Sequence, residues 1–209
     1  MKRYSLARKR TLLVTGFEPF GISSINPSQI LLEHLVPPEG WSLKTATLPV
    51  ETNNLGNVLD QILSEFSPEL IFCLGEARGE SRMRVELWAK NLLNFGQPDN
   101  RGQTIRNRRI ETKGLDFIFS GLCPNKMIHV LLKNNISTLV SEDAGAYLCN
   151  QLFYTLSHRF RNEKTAVGFL HLPSLPEQNF GPGMHLQLQI RGVQALLEEF
   201  ARSVIPDPT

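Results

Sequence analysis

Three cysteines and five histidines are the side chains in this sequence best suited to nucleophilic and proton-transfer chemistry, and their settings differ. Cys149 lies in Ser141-Glu142-Asp143-Ala144-Gly145-Ala146-Tyr147-Leu148-Cys149-Asn150. That stretch reads as a strand end, a short polar turn and then a helix spanning 144–161. A thiol in the first turns of a helix feels the positive end of the backbone dipole, which favours the thiolate. The same position also suits an ordinary packed helix residue. Cys73 sits inside the apolar run Leu70-Ile71-Phe72-Cys73-Leu74 and reads as inert core; Cys123, beside Pro124, reads as a loop residue.

His171 ends the strand that follows the Cys149 helix, in Gly168-Phe169-Leu170-His171-Leu172-Pro173. In a doubly wound sheet the carboxyl ends of parallel strands share one edge, so the imidazole and the helix start are expected to meet there. Imidazole takes a thiol proton and returns it to a leaving group near neutral pH. His34, His129, His158 and His185 occupy helical or loop contexts without that placement. A third group, carboxylate or amide, is needed to fix the ring tautomer. Glu86 is the candidate, although spacing alone admits Glu76 or Glu80 equally.

Gly16-Phe17-Glu18-Pro19-Phe20-Gly21 follows a strand and resembles a phosphate loop at first sight. A P-loop needs Lys after its second Gly, where this chain has Ile22, so phosphate binding is rejected. What remains is a tight loop carrying two aromatic rings, suited to the wall of a small pocket or to a hydrophobic plug beneath the loop. The cysteines stand 50 and 26 residues apart and no HExxH occurs, so no metal site is expected.

The elements that must position these groups alternate along the chain. Strands are expected over 11–15, 43–48, 70–74, 137–140 and 166–172. Helices are expected over 27–35, from Leu55 through Phe66, over 126–133 and 144–161, and from Leu186 through Phe200. Asn26 and Pro27 supply a cap and a first helical residue. The polar segment from Gly96 to Gly114 reads as a long loop or small hairpin. This alternation predicts an α/β fold: a single three-layer α/β/α sandwich around a mostly parallel twisted sheet, spanning 1–209, with tails over 1–10 and 203–209.

Composition agrees. The 209 residues are 41% apolar with a net charge of +2, which excludes a disordered chain and gives no sign of a polyanion binder. Arg106, Arg108, Arg109 and Lys113 cluster, but Glu111 interrupts them, and a solvated loop face explains them better than nucleic-acid binding. No apolar run approaches the roughly 20 residues that span a bilayer. The odd cysteine count and the short apolar run after the basic start predict a cytoplasmic protein without a signal peptide or membrane anchor.

Taken in order, the motifs resemble the pyroglutamyl peptidase I (pyrrolidone carboxylate peptidase) family of cysteine peptidases. The resemblance runs through Val14-Thr15-Gly16-Phe17-Glu18-Pro19-Phe20-Gly21 with Asn26-Pro27-Ser28, then Leu48-Pro49, Val85-Glu86 and Ala89-Lys90-Asn91. It continues through Pro98-Asp99-Asn100, Asp143-Ala144-Gly145, Tyr147-Leu148-Cys149-Asn150, the His171 strand and Pro176-Glu177-Gln178. The resemblance implies a Cys149–His171–Glu86 triad with no metal or organic cofactor, acting on peptides with an N-terminal pyroglutamyl (5-oxoproline) residue. It also implies a homo-oligomer, tetramer or dimer, and a lactam pocket built from Phe17, Phe20, Tyr147 and Leu148, to which Asn26, Glu76 and Gln97 are added as substrate-binding candidates.

Three departures accompany it. The turn after the third strand, usually Gly-Gly-Arg, is here Ala77-Arg78-Gly79-Glu80. Glu76 stands where an uncharged residue, commonly Gln, is usual. The usual Ala-Arg-Ile-Pro-Asp-Asn is here Phe95-Gly96-Gln97-Pro98-Asp99-Asn100, so Gly96 replaces an arginine expected near the reacting carbonyl. Loss of such a cation costs on the order of 10²–10³ in rate by analogy with an oxyanion donor. Arg78, Arg82 and Arg101 are the candidates to replace it. Two alternatives therefore stand beside the family activity: altered acyl or amide specificity, and a non-catalytic protein that binds a capped peptide or serves as an interaction subunit.

Overall fold

The computed structural model describes residues 9–203. Six strands form one sheet: β1 (Arg10–Phe17), β2 (Trp41–Leu48), β3 (Leu70–Ala77), β4 (Met83–Glu86), β7 (Thr138–Ser141) and β8 (Ala166–Pro173), in the order β2-β1-β3-β8-β4-β7. β5 (Trp88–Lys90) and β6 (Phe117–Phe119) make a separate antiparallel ribbon. The helices are α1 (Pro27–Leu32), α2 (Leu55–Glu65), α3 (Pro124–Lys133), α4 (Leu148–Phe160) and α5 (Leu186–Ser203).

Side-chain alternation along the central strands explains the layering. Leu12, Val14, Phe72, Leu74, Leu170 and Leu172 face α1, α3 and α5 in one core. Leu13, Ile71, Cys73, Val167 and Phe169 face α2 and α4 in the other. The result is the expected mostly parallel α/β sandwich, with one qualification. β4 runs antiparallel to β8, and β7 follows β4, so the sheet is mixed.

Local differences from the sequence reading have local causes. β4 was not anticipated, because Arg-Met-Arg-Val-Glu alternates over only four paired residues inside a charged stretch. α1 ends at Leu32 instead of 35, with His34 N–H closing a tight turn on Leu31 O at 3.0 Å ahead of Pro37. α4 begins at Leu148, not 144. Gly145 adopts φ 82°, a left-handed conformation incompatible with a helix, and its N–H donates to Asp143 Oδ1 at 2.8 Å. Residues 96–114 are irregular apart from the flanking Leu93–Arg108 bridge. Of the two expected tails, 1–8 and 204–209 lie outside the described residues, while Arg10 already belongs to β1 and Ser203 to α5.

Candidate active site

The late start of α4 decides where the thiol sits. Tyr147 is the N-cap residue, and the first intrahelical bond runs from Gln151 N–H to Tyr147 O at 2.9 Å. Cys149 is thus the second helical residue, and its own N–H lies among the amides the helix leaves unpaired. Asn150, fully buried, ties this first turn to the ribbon: its Nδ2 donates to Lys90 O (2.8 Å) and Leu92 O (2.9 Å), and its Oδ1 accepts from Lys90 N–H (2.8 Å).

The sheet brings the rest. Gly75 pairs with His171 across β3 and β8, and Arg84 pairs with His171 across β4 and β8. Period-two geometry then sets Glu86, Arg84, Phe169 and His171 on the face that carries α4. Gly75 is needed there: a Cβ on it would stand 2.7 Å from Cys149 Sγ and 3.0 Å from the Phe169 ring. His171 Nδ1 lies 2.7 Å from Glu86 Oε1, and the carboxylate, an acceptor only, requires that nitrogen to carry the hydrogen. The Cys149 sulfur is near enough to the same ring to raise its pKa. Phe169 packs against the imidazole with centroids 4.7 Å apart.

Electrostatics follow from this packing. Burial alone would push the His171 pKa down, but the Cys149 sulfur and the Glu86 carboxylate together outweigh it and raise the value to about 9. Cys73, on the same face but enclosed in apolar side chains, shows the opposite outcome. Burial pushes its thiol up to about 12, so it stays protonated.

Two concavities flank the sulfur. On one side Phe17, Phe20, Asn26, Val50, Glu76, Tyr147, Leu148 and Cys149 line a narrow slot whose free volume is about 20 Å³, so a ring entering it must displace the Phe20 and Tyr147 side chains. Its wall is held from behind. Asn26 accepts from Ser28 N–H (3.0 Å) and donates to Glu18 O (3.1 Å), and Tyr147 OH donates to Pro98 O (3.0 Å). Burial, with the Asp99 and Cys149 charges, raises the Tyr147 hydroxyl to about 12 against Gln97 and Arg78. On the other side Ala77, Arg78, Arg84, Asp143, Ala144, Gly145 and His171 line an open groove of about 370 Å³.

Sequence reasoning named six of the slot's lining residues besides Cys149, and it missed Val50. Gln97 is exposed and outside the slot lining, near Gly21 and Tyr147 at the mouth. Gly96 is exposed, and a Cβ there would meet nothing within 4 Å. Of the arginines considered as its replacement, Arg82 is exposed, Arg101 pairs with Glu51 at 2.7 Å, and Arg78 alone reaches the site. The Arg78 guanidinium is sandwiched between the Phe20 and Phe180 rings at 4.1 and 4.4 Å, donates to Phe20 O at 2.9 Å, and approaches Glu76 Oε2 at 3.6 Å. Gly75 and Arg84 were also missed; the period-two pattern Arg84-Val85-Glu86 was the available signal for the latter.

A thiol at a helix start, a buried imidazole and a buried carboxylate on one sheet rim define a hydrolase of the cysteine peptidase class. The sequence profile described as pyroglutamyl peptidase matches residues 10–203, and the chain belongs to that family. A pyrrolidone-carboxylate peptidase of Bacillus cytotoxicus is 36% identical over 197 residues, covering 90% of this chain and 92% of its own. Crystal structures of pyrrolidone carboxyl peptidases are similar as well. That from Thermus thermophilus has a TM-score of 0.85 at 38% identity, covering 90% of this chain and 98% of its own. That from Pyrococcus furiosus has a TM-score of 0.90 at 28% identity, covering 93% and 100%. Among the described residues no helix is long and apolar enough to cross a membrane.

Proposed function

We propose that this chain hydrolyses the bond after an N-terminal pyroglutamyl residue, with Cys149 as nucleophile, His171 as general acid and base, and Glu86 orienting the imidazole. The observation that carries the reading is the line from Glu86 Oε1 to His171 Nδ1 at 2.7 Å, in a ring whose hold on its proton the Cys149 sulfur also strengthens. The thiolate attacks the acyl carbon, and the negative charge that develops on its oxygen is met by the Cys149 N–H and the start of α4. The imidazolium gives its proton to the departing amine, leaving a thioester. Water, deprotonated by His171, then releases the free acid and regenerates the thiol.

The slot suits the substrate. Pyroglutamate is small, flat and uncharged, because cyclisation removes the amine that other aminopeptidases grip. Apolar walls from Phe17, Phe20 and Leu148 supply binding, and pairing of the lactam N–H and C=O supplies selection. A site built to pair both groups rejects proline, which lacks the carbonyl, by about 10⁴ in favourable cases. The open groove beside His171 takes the leaving peptide.

The test is turnover of a pyroglutamyl arylamide beside its prolyl and alanyl analogues, for wild type and Cys149→Ala. Selective turnover of the first, lost in Cys149→Ala, is expected; absence of thiol-dependent turnover on it overturns the reading. A second reading, altered acyl specificity, is favoured by one observation: the buried Glu76 carboxylate lines the slot with its Oε2 lacking a hydrogen-bond partner. A wider panel of acyl arylamides separates the two.

A further inference from the structure

Arg84 meets the proposed triad and the turn before Cys149 at once. Its Nε lies 3.4 Å from Glu86 Oε1, the same oxygen that His171 Nδ1 meets at 2.7 Å. Its Nη2 donates to Ser141 Oγ and to Asp143 O, both at 2.7 Å, and Nη1 stands 3.9 Å from Glu80 Oε1. Ser141 ends β7 and Asp143 opens the turn that leads to Tyr147 and Cys149. One guanidinium therefore links the acid of the triad to the segment that delivers its nucleophile.

We propose that Arg84 is a positioning residue with two separable actions: by sharing the Glu86 carboxylate it limits how strongly His171 holds its proton, and by its bonds to Ser141 and Asp143 it fixes the turn before Cys149. The inference rests on the triad of the proposed function, and it deepens that reading by naming what tunes it.

The charge argument is one of competition. A carboxylate oxygen facing two cations stabilises each less than it would alone. With Arg84 removed, the full field of Glu86 acts on the imidazolium, and the ring holds its proton to higher pH. The other groups around His171 are Cys149 from α4, Glu86 from β4, and Arg78 and Asp143 across the groove. Cys73 on β3 is protonated, and Asp143 is kept ionised by Lys90 and the Gly145 N–H despite its partial burial. Arg84 also helps to keep Asp143 ionised and holds the turn before Cys149, so its charge is isolated by comparing the neutral variant with Arg84→Lys.

The experiment titrates the His171 ring by NMR in wild type, Arg84→Met and Arg84→Lys, and measures kcat/KM on the pyroglutamyl arylamide in each. Arg84→Met is expected to raise the ring pKa by roughly half a unit to one unit. Arg84→Lys keeps the charge and leaves the titration near wild type. Both variants lose the two bonds to the turn, and kcat/KM at neutral pH falls by about tenfold or more. Should Arg84→Met fail to fold, Arg84→Gln takes its place.

An unchanged titration in the neutral variant, or an equal shift in Arg84→Lys, overturns the inference. The NMR arm needs no substrate. A shifted ring in a protein without pyroglutamyl turnover sinks the proposed function alone, and an unshifted ring in an active enzyme sinks this inference alone.

Discussion

Glu86 and Glu76 are near twins with different neighbours. Each side chain is fully buried, each stands beside an arginine (Arg84 at 3.4 Å, Arg78 at 3.6 Å), and each has one oxygen without a hydrogen-bond partner. On the groove side, however, the remaining oxygen of Glu86 meets an imidazole, which gains and loses a proton. On the slot side, Glu76 Oε1 accepts from Ser174 Oγ (2.7 Å) and Gln178 Nε2 (2.9 Å), groups that do not titrate near neutrality. The same charged pair thus faces a titratable ring at one flank of Cys149 and a fixed wall at the other. What a buried acid does is decided by its third partner.

The largest expected difference comes from neutralising each acid in turn. Glu86→Gln lowers kcat on the order of 10²–10⁴-fold, because an amide no longer fixes the ring tautomer or supports the imidazolium. Equal rates for Glu86→Gln and wild type would break the contrast. Gly75→Ala tests the junction between the flanks. Its methyl collides with Cys149 Sγ and Phe169, and a misplaced sulfur costs about 10² in kcat/KM while the fold survives, checked by circular dichroism alongside the assay.

Glu76→Gln is expected to move KM by less than about tenfold and to leave kcat in place, since an amide oxygen still accepts from Ser174 and Gln178. A fall in kcat matching that of Glu86→Gln would erase the distinction. A separate effect falls on stability. The folded-state pKa of His171 is raised from 6.5 to about 9, so the pairing stabilises the fold fully below 6.5 and the contribution is lost as pH climbs through about 9. Urea unfolding followed across that window should show this loss in wild type and Glu76→Gln, and a shallower one in Glu86→Gln.

Much of this was legible in the residues. Apolar runs near Leu12, Leu70 and Val167 announce central strands, because burial on both faces demands continuous hydrophobicity. Asn26-Pro27 announces a helix start, and the apolar run around Cys73 foretells its burial. Other features were hidden for definite reasons. Four residues of β4 carry too little periodicity to be recognised, and nothing local dictates that the strand runs against β8. The start of α4 was misjudged because Ala144, Gly145 and Ala146 are compatible with a helix until Asp143 caps Gly145 N–H. Selection of Glu86 over Glu76 and Glu80 depends on a register across 85 residues, which spacing does not encode.

β4 and β8 are joined at only two register positions, Arg84↔His171 and Val85↔Leu170, whereas β3 and β8 share eight. Unzipping so brief a seam would part acid from base and leave the parallel ladders closed. Under the proposed mechanism, activity is then expected to follow a local opening equilibrium distinct from global melting, fading on warming while most of the protein stays folded.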